Sequence, residues 1–412
     1  MKIIQVITGH PQVIYLTELF NGLKSIGVDV KIYCFNDEVN VFGHFDTSHI
    51  SNVEYAQDVF DELNSCDFVF FNDIPHVKYE HTDEFIDMVV NKITAPKIFF
   101  NNIHSYRAAI KYHGDLLKNK EFMSAFDKYV TFDKANKVYL KYADLIGKEL
   151  ADSRYVHMLH PYKFDDEHKR WKKFDEKQKR ITYLGRAASF KDPCRLIKMN
   201  LNGLSDAGYE AEMRGILLTI GCAGMWNLRF KFDENGNQTK EKSPYTFFPT
   251  GPWRKANKFT KEDPLIDHPK RTDNKVWVFG SYVHDEGMDA VSYSMFGADF
   301  YGFDEDLYGD QIEYTLFEMI DSGTIPVFDL HCAEHCHVYE NAESTGKTIK
   351  EKDLGILVDR DCSNMKDVIS KLDKLSSSEK EYEAERNKVY EAIKKHTDPK
   401  AVCKNLIENL KK

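Results

Sequence analysis

The chain has 412 residues, with 56 Lys and Arg against 66 Asp and Glu, and a formal net charge of -10. A hydrophobic content of 42%, with aromatics at 13%, is enough for two or three packed domains and excludes a disordered chain. The acidity excludes a uniformly basic nucleic-acid binder but leaves room for a local basic face, because binding follows the local field.

Lys2–Thr8 is a near-continuous apolar run ending at Gly9, which predicts a buried strand. One basic residue and a short apolar stretch do not make the h-region of a secretion signal, which needs about 7–15 apolar residues. Residues 12–26 carry Ile14, Leu16, Leu19, Phe20 and Leu23 at helical spacing. Asp29–Phe35, Asp67–Phe71, Lys97–Phe100 and Tyr129–Phe132 read as further strands, with room for helices between them. Such alternation predicts a parallel sheet covered on both faces. The run 165–180 is almost wholly charged and reads as a solvated linker. A second series follows: strand 181–184, helix near 191–206, strand 276–279, helix from about 284, helix 313–320 and strand 324–328. Residues 376–411 are Lys/Glu-rich with apolar positions at helical spacing, which predicts a terminal amphipathic helix pair.

The expected organisation is an amino-terminal domain over 1–165, a linker over 166–180, a second domain over 181–375 and terminal helices over 376–412. The stretch 225–275 fits neither strand nor helix series. It holds 11 Lys/Arg against 7 Asp/Glu in an otherwise acidic chain, together with Trp226, Phe230, Phe247, Phe248, Trp253 and Phe259. It reads as an insertion on the second domain. No apolar window approaches the 18 residues of a membrane span. Eight scattered cysteines without a secretion signal predict reduced thiols.

Two open α/β sheets joined by a linker leave a cleft at the carboxyl ends of their strands, where ligands of such sheets bind. Gly185, Arg186 and Lys191 follow the first strand of the second series. Glycine permits a tight turn beside a ligand, and an Arg fork with a Lys point charge suits a diphosphate. Glu313 and Glu318 are five positions apart, about 140° of helix rotation, so they share one face only if Glu313 lies at the helix entrance. A carboxylate there accepts from the hydroxyl pair of a sugar or ribose, and a helix N-terminus favours an anion. Three histidines and two cysteines occur within 331–337, but no second paired-ligand segment accompanies them. That stretch is therefore expected to be a loop lining the cleft, with no metal.

These segments resemble the DNA α-glucosyltransferases of T-even-type phages. The shared features are Gly185-Arg186 with Lys191; Glu313-Tyr314-Thr315 with Glu318; Gly323-Thr324-Ile325-Pro326-Val327-Phe328; and Ser292, Ser294, Phe296 and Gly297 at matching distance. The resemblance is firm over roughly 181–330. It implies an α/β GT-B fold, two Rossmann-like parallel-sheet domains facing a central cleft. It implies a retaining enzyme that moves a sugar from a UDP-sugar donor to 5-hydroxymethylcytosine in double-stranded DNA, in the cytoplasm of an infected bacterial host. On the matching positions, Glu313 and His104 fall at the reacting centre. Arg186, Lys191, Glu318, Gly185, Gly9, Ser294, Gly297, Tyr314 and Thr315 fall to the donor. No tightly bound metal is implied. The family's link to replication proteins leaves no mark in these residues.

The sequence also departs from the family. Asn102-Ile103 stands where the family has a His-Asp pair before His104-Ser105, and Thr8-Gly9-His10-Pro11 is a shortened first loop. Both lie where the sugar is expected, which leaves glucose and a pentose such as arabinose open. In the insertion, Arg254, Lys255 and Lys258 interleave with aromatics and are the expected DNA contacts. A GT-B enzyme acting on a polysaccharide, lipid or protein acceptor is the alternative.

Overall fold

The computed structural model describes residues 1–8, 13–35, 48–72, 74–77, 79–101, 113–132, 137–184, 194–214, 230–232, 238–242, 270–271, 276–278, 284–300 and 312–412. In the amino-terminal half, strands β1 (Lys2–Ile7), β2 (Asp29–Cys34), β3 (Ile50–Asn52), β4 (Phe68–Phe71), β5 (Lys97–Asn101), β6 (Lys128–Thr131) and β7 (Tyr155–His157) form one seven-stranded parallel sheet. Its order is β3-β2-β1-β4-β5-β6-β7. We call it the front sheet. Buried residues run without alternation through β1, β4 and β5 because both faces are covered. One face packs Phe71, Phe85, Phe99, Phe122 and Phe126; the other packs Leu16, Leu19 and Leu23 of the helix Val13–Ser25.

The carboxyl-terminal half begins with β8 (Gln178–Leu184) and β9 (Glu210–Arg214). An antiparallel ribbon, β10 (Phe230–Phe232) and β11 (Gln238–Lys242), follows inside the basic stretch. The chain returns through β12 (Lys270–Arg271), which lies antiparallel to β13 (Val276–Val278) at the sheet edge. Then come β14 (Ser294–Asp299), β15 (Ile325–Asp329), a hairpin of β16 (His337–Glu340) and β17 (Glu343–Thr348), and β18 (Ile356–Val358). The back sheet runs β12-β13-β9-β8-β14-β15-β18. Apart from β12 it is parallel.

Both sheets therefore share one plan, with the first strand central and the order reversing beside it. The reversal falls between β1 and β4 in front and between β8 and β14 behind. Such points open crevices at the carboxyl ends of the strands.

One expectation about organisation needs correcting. The stretch 166–180 is not simply a solvated linker. Trp171 stacks on His168 at 3.9 Å and donates Nε1–H to the Asp321 carbonyl at 2.9 Å. Lys177 is buried, with Nζ donating to the Ser292 and Ser294 carbonyls, and β8 already starts at Gln178. Aromatic stems and buried methylenes override the charged composition here. The terminal amphipathic helix pair forms as expected, and its two members pack on different halves. Glu379–Thr397 packs Tyr382, Val389 and Ile393 on the back cores, whereas Pro399–Leu410 places Val402, Cys403 and Leu406 in the front core. No helix among the described residues is long and apolar enough to cross a membrane.

Candidate active site

The helix Tyr314–Asp321 starts near the carboxyl edge of the back sheet, because it descends from that edge into β15. Glu313 is its N-cap, with extended backbone (φ -89°, ψ 157°), and its carbonyl accepts from Leu316 N at 3.0 Å. This is the entrance position that removes the 140° conflict with Glu318 expected inside a helix. Glu313, Thr315 and Glu318 are all half-buried. The helix ends on Gly323, at φ +79°. Its N–H bonds the Ile320 carbonyl at 2.9 Å and Thr324 N–H bonds the Met319 carbonyl at 3.2 Å. That paired closure requires the left-handed conformation glycine adopts freely, so the Gly-Thr of the shared segment is explained by a helix stop.

Gly297 and Ser294, expected at the donor, both lie in β14. Gly297 lies mid-strand in β14, where a Cβ would meet Thr324 Oγ1 at 2.7 Å and Met319 Sδ at 2.9 Å. It lets the helix approach the sheet. Ser294 opens β14 at the opposite end of the strand from the cleft edge; it is fully buried and lies 2.7 Å from Thr182 Oγ1. Both positions are packed within the sheet.

Tyr314 is turned to the seam between the halves. Its hydroxyl donates to the Pro161 carbonyl at 3.0 Å, and its ring meets His160 edge-on at 4.9 Å. His160 follows β7 and stacks on Phe132, which follows β6, at 4.1 Å and 12°. The carboxyl edge of the front sheet thus meets the helix entrance of the back half. Burial pushes the Tyr314 phenol well up, which keeps the hydroxyl a donor.

The crossing segment 160–165 is held through several of its peptide groups. Tyr162 N–H bonds the Thr397 carbonyl at 3.0 Å, and Thr397 Oγ1 returns a bond to the Tyr162 carbonyl at 3.1 Å. Lys163 N–H donates to Glu18 Oε2 at 3.0 Å and Asp165 N–H to Asp321 Oδ1 at 2.9 Å. Burial pushes the Glu18 carboxyl up to about 7 and the Asp321 carboxyl up to about 6.

The first back strand ends at Leu184, immediately before Gly185. Gly9, His104, Gly185, Arg186, Lys191, Arg254, Lys255 and Lys258 lie outside the described residues. Sequence reasoning missed the group that braces this edge. Arg195, fully buried, forms an ion pair with Asp329 at the end of β15. Asp329 Oδ1 also accepts from Cys332 N–H at 2.8 Å, capping the helix Leu330–His335. The partners are 134 positions apart, so no local pattern announces the pair.

No protein-family model and no curated protein matches the chain. Among solved structures, it is similar to an α-glucosyltransferase in complex with UDP-glucose and DNA containing an abasic site. That match has a TM-score of 0.76 and 17% identity, and it covers 100% of both chains. An α-glucosyltransferase in complex with UDP and a 13-mer DNA containing a HMU base gives 0.74 at 18% identity, again over 100% of both. Anabaena Alr3699/HepE, in complex with UDP and glucose, gives 0.55 at 9% identity over 100% of this chain and 99% of that one. The chain therefore has the fold of the GT-B glycosyltransferases. Within that class, it is similar from end to end to α-glucosyltransferases solved with UDP and DNA.

Proposed function

We propose that this protein is a retaining DNA glycosyltransferase that moves a sugar from a UDP-sugar to the hydroxymethyl oxygen of 5-hydroxymethylcytosine in phage DNA. The observation that carries this reading is the end-to-end similarity to α-glucosyltransferases solved with UDP and DNA. The Glu313 entrance and the Leu184 strand end support it, since both fall at the carboxyl edge of the back sheet. In this reading Arg186 and Lys191 hold the donor diphosphate, Glu318 binds the ribose, and Glu313 and His104 lie by the transferred sugar.

The acceptor oxygen bonds the anomeric carbon as the bond from that carbon to the diphosphate breaks. The acceptor proton passes to the leaving phosphate. The transition state is oxocarbenium-like, with negative charge growing on the diphosphate, so cationic clamping there supplies the main stabilisation. Arg254, Lys255 and Lys258 contact the DNA backbone. The donor sugar is glucose or a pentose such as arabinose.

The test is to incubate the protein with UDP-glucose or UDP-arabinose and hydroxymethylcytosine DNA, digest to nucleosides and weigh them. A glycosylated nucleoside with one donor is expected. No adduct with any UDP-sugar, alongside UDP release on a non-DNA acceptor, would overturn the DNA assignment. Neutralising Arg254, Lys255 and Lys258 together is expected to weaken DNA binding and flatten its salt dependence. An unchanged salt slope would move the DNA face elsewhere.

A further inference from the structure

The segment expected to be a cleft-lining loop is a helix, Leu330–His335, and this changes what its side chains can do together. Positions 331 and 335 fall one turn apart, so their imidazoles project from one face. Their ring centroids are 4.3 Å apart. Glu334 joins them, and the potential ligand atoms of the three exposed residues all lie within 4.8 Å of one another. Cys332 and Cys336, which the sequence groups with them, are instead buried in the core of the back half.

We propose that His331, Glu334 and His335 form a binding site for a divalent transition-metal ion, at the rim of the back sheet where β15 runs out into this helix. The tautomer of His335 is already set for it. Its Nδ1 lies 2.8 Å from the His331 carbonyl, which can only accept, so Nδ1 carries the hydrogen and Nε2 keeps its lone pair. Metal-ligating imidazoles are commonly oriented in this way by a carbonyl on the other nitrogen. Glu334 Oε1 accepts from Lys350 Nζ at 2.8 Å, which steadies the carboxylate. Its other oxygen remains for the ion.

Metal–ligand bonds of about 2.0–2.2 Å in a tetrahedron set donor atoms about 3.3–3.6 Å apart. Closing from 4.8 Å therefore takes about 1 Å of side-chain rotation at an exposed surface, with the helix unmoved. Two imidazoles and a carboxylate suit zinc, cobalt, nickel or copper better than magnesium or calcium, which favour all-oxygen sets. Three protein ligands leave a coordination position open to water or an anionic group. Arg360 faces His331, and Asp329 lies 4.0 Å from Arg360 Nε, offsetting that charge.

The experiment uses the full chain, freed of metal and kept reduced, and titrates it with zinc by calorimetry and with cobalt by absorption spectroscopy. One ion per chain is expected, with a cobalt spectrum free of thiolate charge transfer and a raised melting temperature in zinc. H331A and H335A should each weaken zinc affinity at least tenfold, and E334Q by a smaller factor. All three residues are exposed, so the variants should melt with wild type in chelator, which separates a lost ligand from a lost fold. Absence of saturable binding at millimolar zinc would overturn the proposal. So would unchanged affinity in the H331A/H335A double variant, or a thiolate band showing that cysteines hold the metal.

Discussion

At its reversal point the front sheet buries neutral groups. Tyr15 donates to Asn72 Oδ1 at 2.9 Å, and Asn72 Nδ2 donates to Gln5 Oε1 at 2.9 Å. The back sheet buries full charges. Arg195 pairs with Asp329 at the carboxyl edge, and Glu212 on β9 lies 3.1 Å from Arg180 and also pairs with Arg214. One topology thus carries two chemistries. A buried ion pair adds little over an apolar pair, yet losing one partner leaves an uncompensated charge. Its effect is positional: Arg195 opens the helix that follows residues 185–193, and Asp329 caps the helix after β15. The half assigned to the charged donor has its edge fixed by charge, while the facing half is held by rings and amides.

The largest effect that bears on this contrast is on stability. Arg195→Ala should lower unfolding free energy by about 3–5 kcal/mol in urea denaturation, and R195M with D329L should restore most of it. A loss below about 1 kcal/mol would place the pair among surface bridges and erase the contrast. Next is turnover. Arg186→Ala should reduce sugar transfer at least tenfold, since a charge-assisted contact is worth about 1.5–3 kcal/mol and about 1.4 is a factor of ten. Near-normal turnover would remove the diphosphate assignment. On the neutral side, Tyr15→Phe should cost only about 0.5–1.5 kcal/mol. A loss matching R195A would show that the amide network braces its sheet as strongly as the ion pair.

Two further effects are read only in pH dependence, and they have opposite signs. Burial raises the Glu18 carboxyl from 4.5 to about 7, so the native state binds more protons than the unfolded chain across that window. The contribution is fully present below 4.5 and lost as pH rises through about 7. Burial lowers the Lys177 ammonium from 10.5 to about 7, so the native state binds fewer protons and stability recovers as pH rises from about 7 toward 10.5. Glu18→Gln should flatten the first slope and Lys177→Met the second, read from denaturation midpoints across pH. A wild-type profile in either variant would show that the seam or the strand β8 entry does not titrate in this range.

Much of the front half was legible in the sequence. Five of its seven strands were expected from apolar runs and lie within a residue or two of their expected limits, whereas the short strands β3 and β7 were not expected. The strand β14 was not legible. Ser-Met-Phe-Gly-Ala-Asp mixes small and polar residues because a helix lies close against Gly297. Strand β9 hid for a different reason: Glu212 is buried there by charge pairing, which composition reads as exposure. Of the candidate site, the Glu313 and Glu318 segment was visible as a motif, and its entrance geometry was framed as a condition that the N-cap position meets.

By itself, the sequence determined the alternation of strands and helices, the restart after the charged run and a locally basic stretch at 225–275. These depend on local periodicity and composition, which each segment carries alone. Tertiary structure alone decided that Tyr314 joins the seam, that the last helix returns to the front core, and that Arg195 meets Asp329. It also put His331 and His335 on one helix face. Contacts between residues far apart in the chain depend on how sheets and helices stack, and no segment encodes its distant partner.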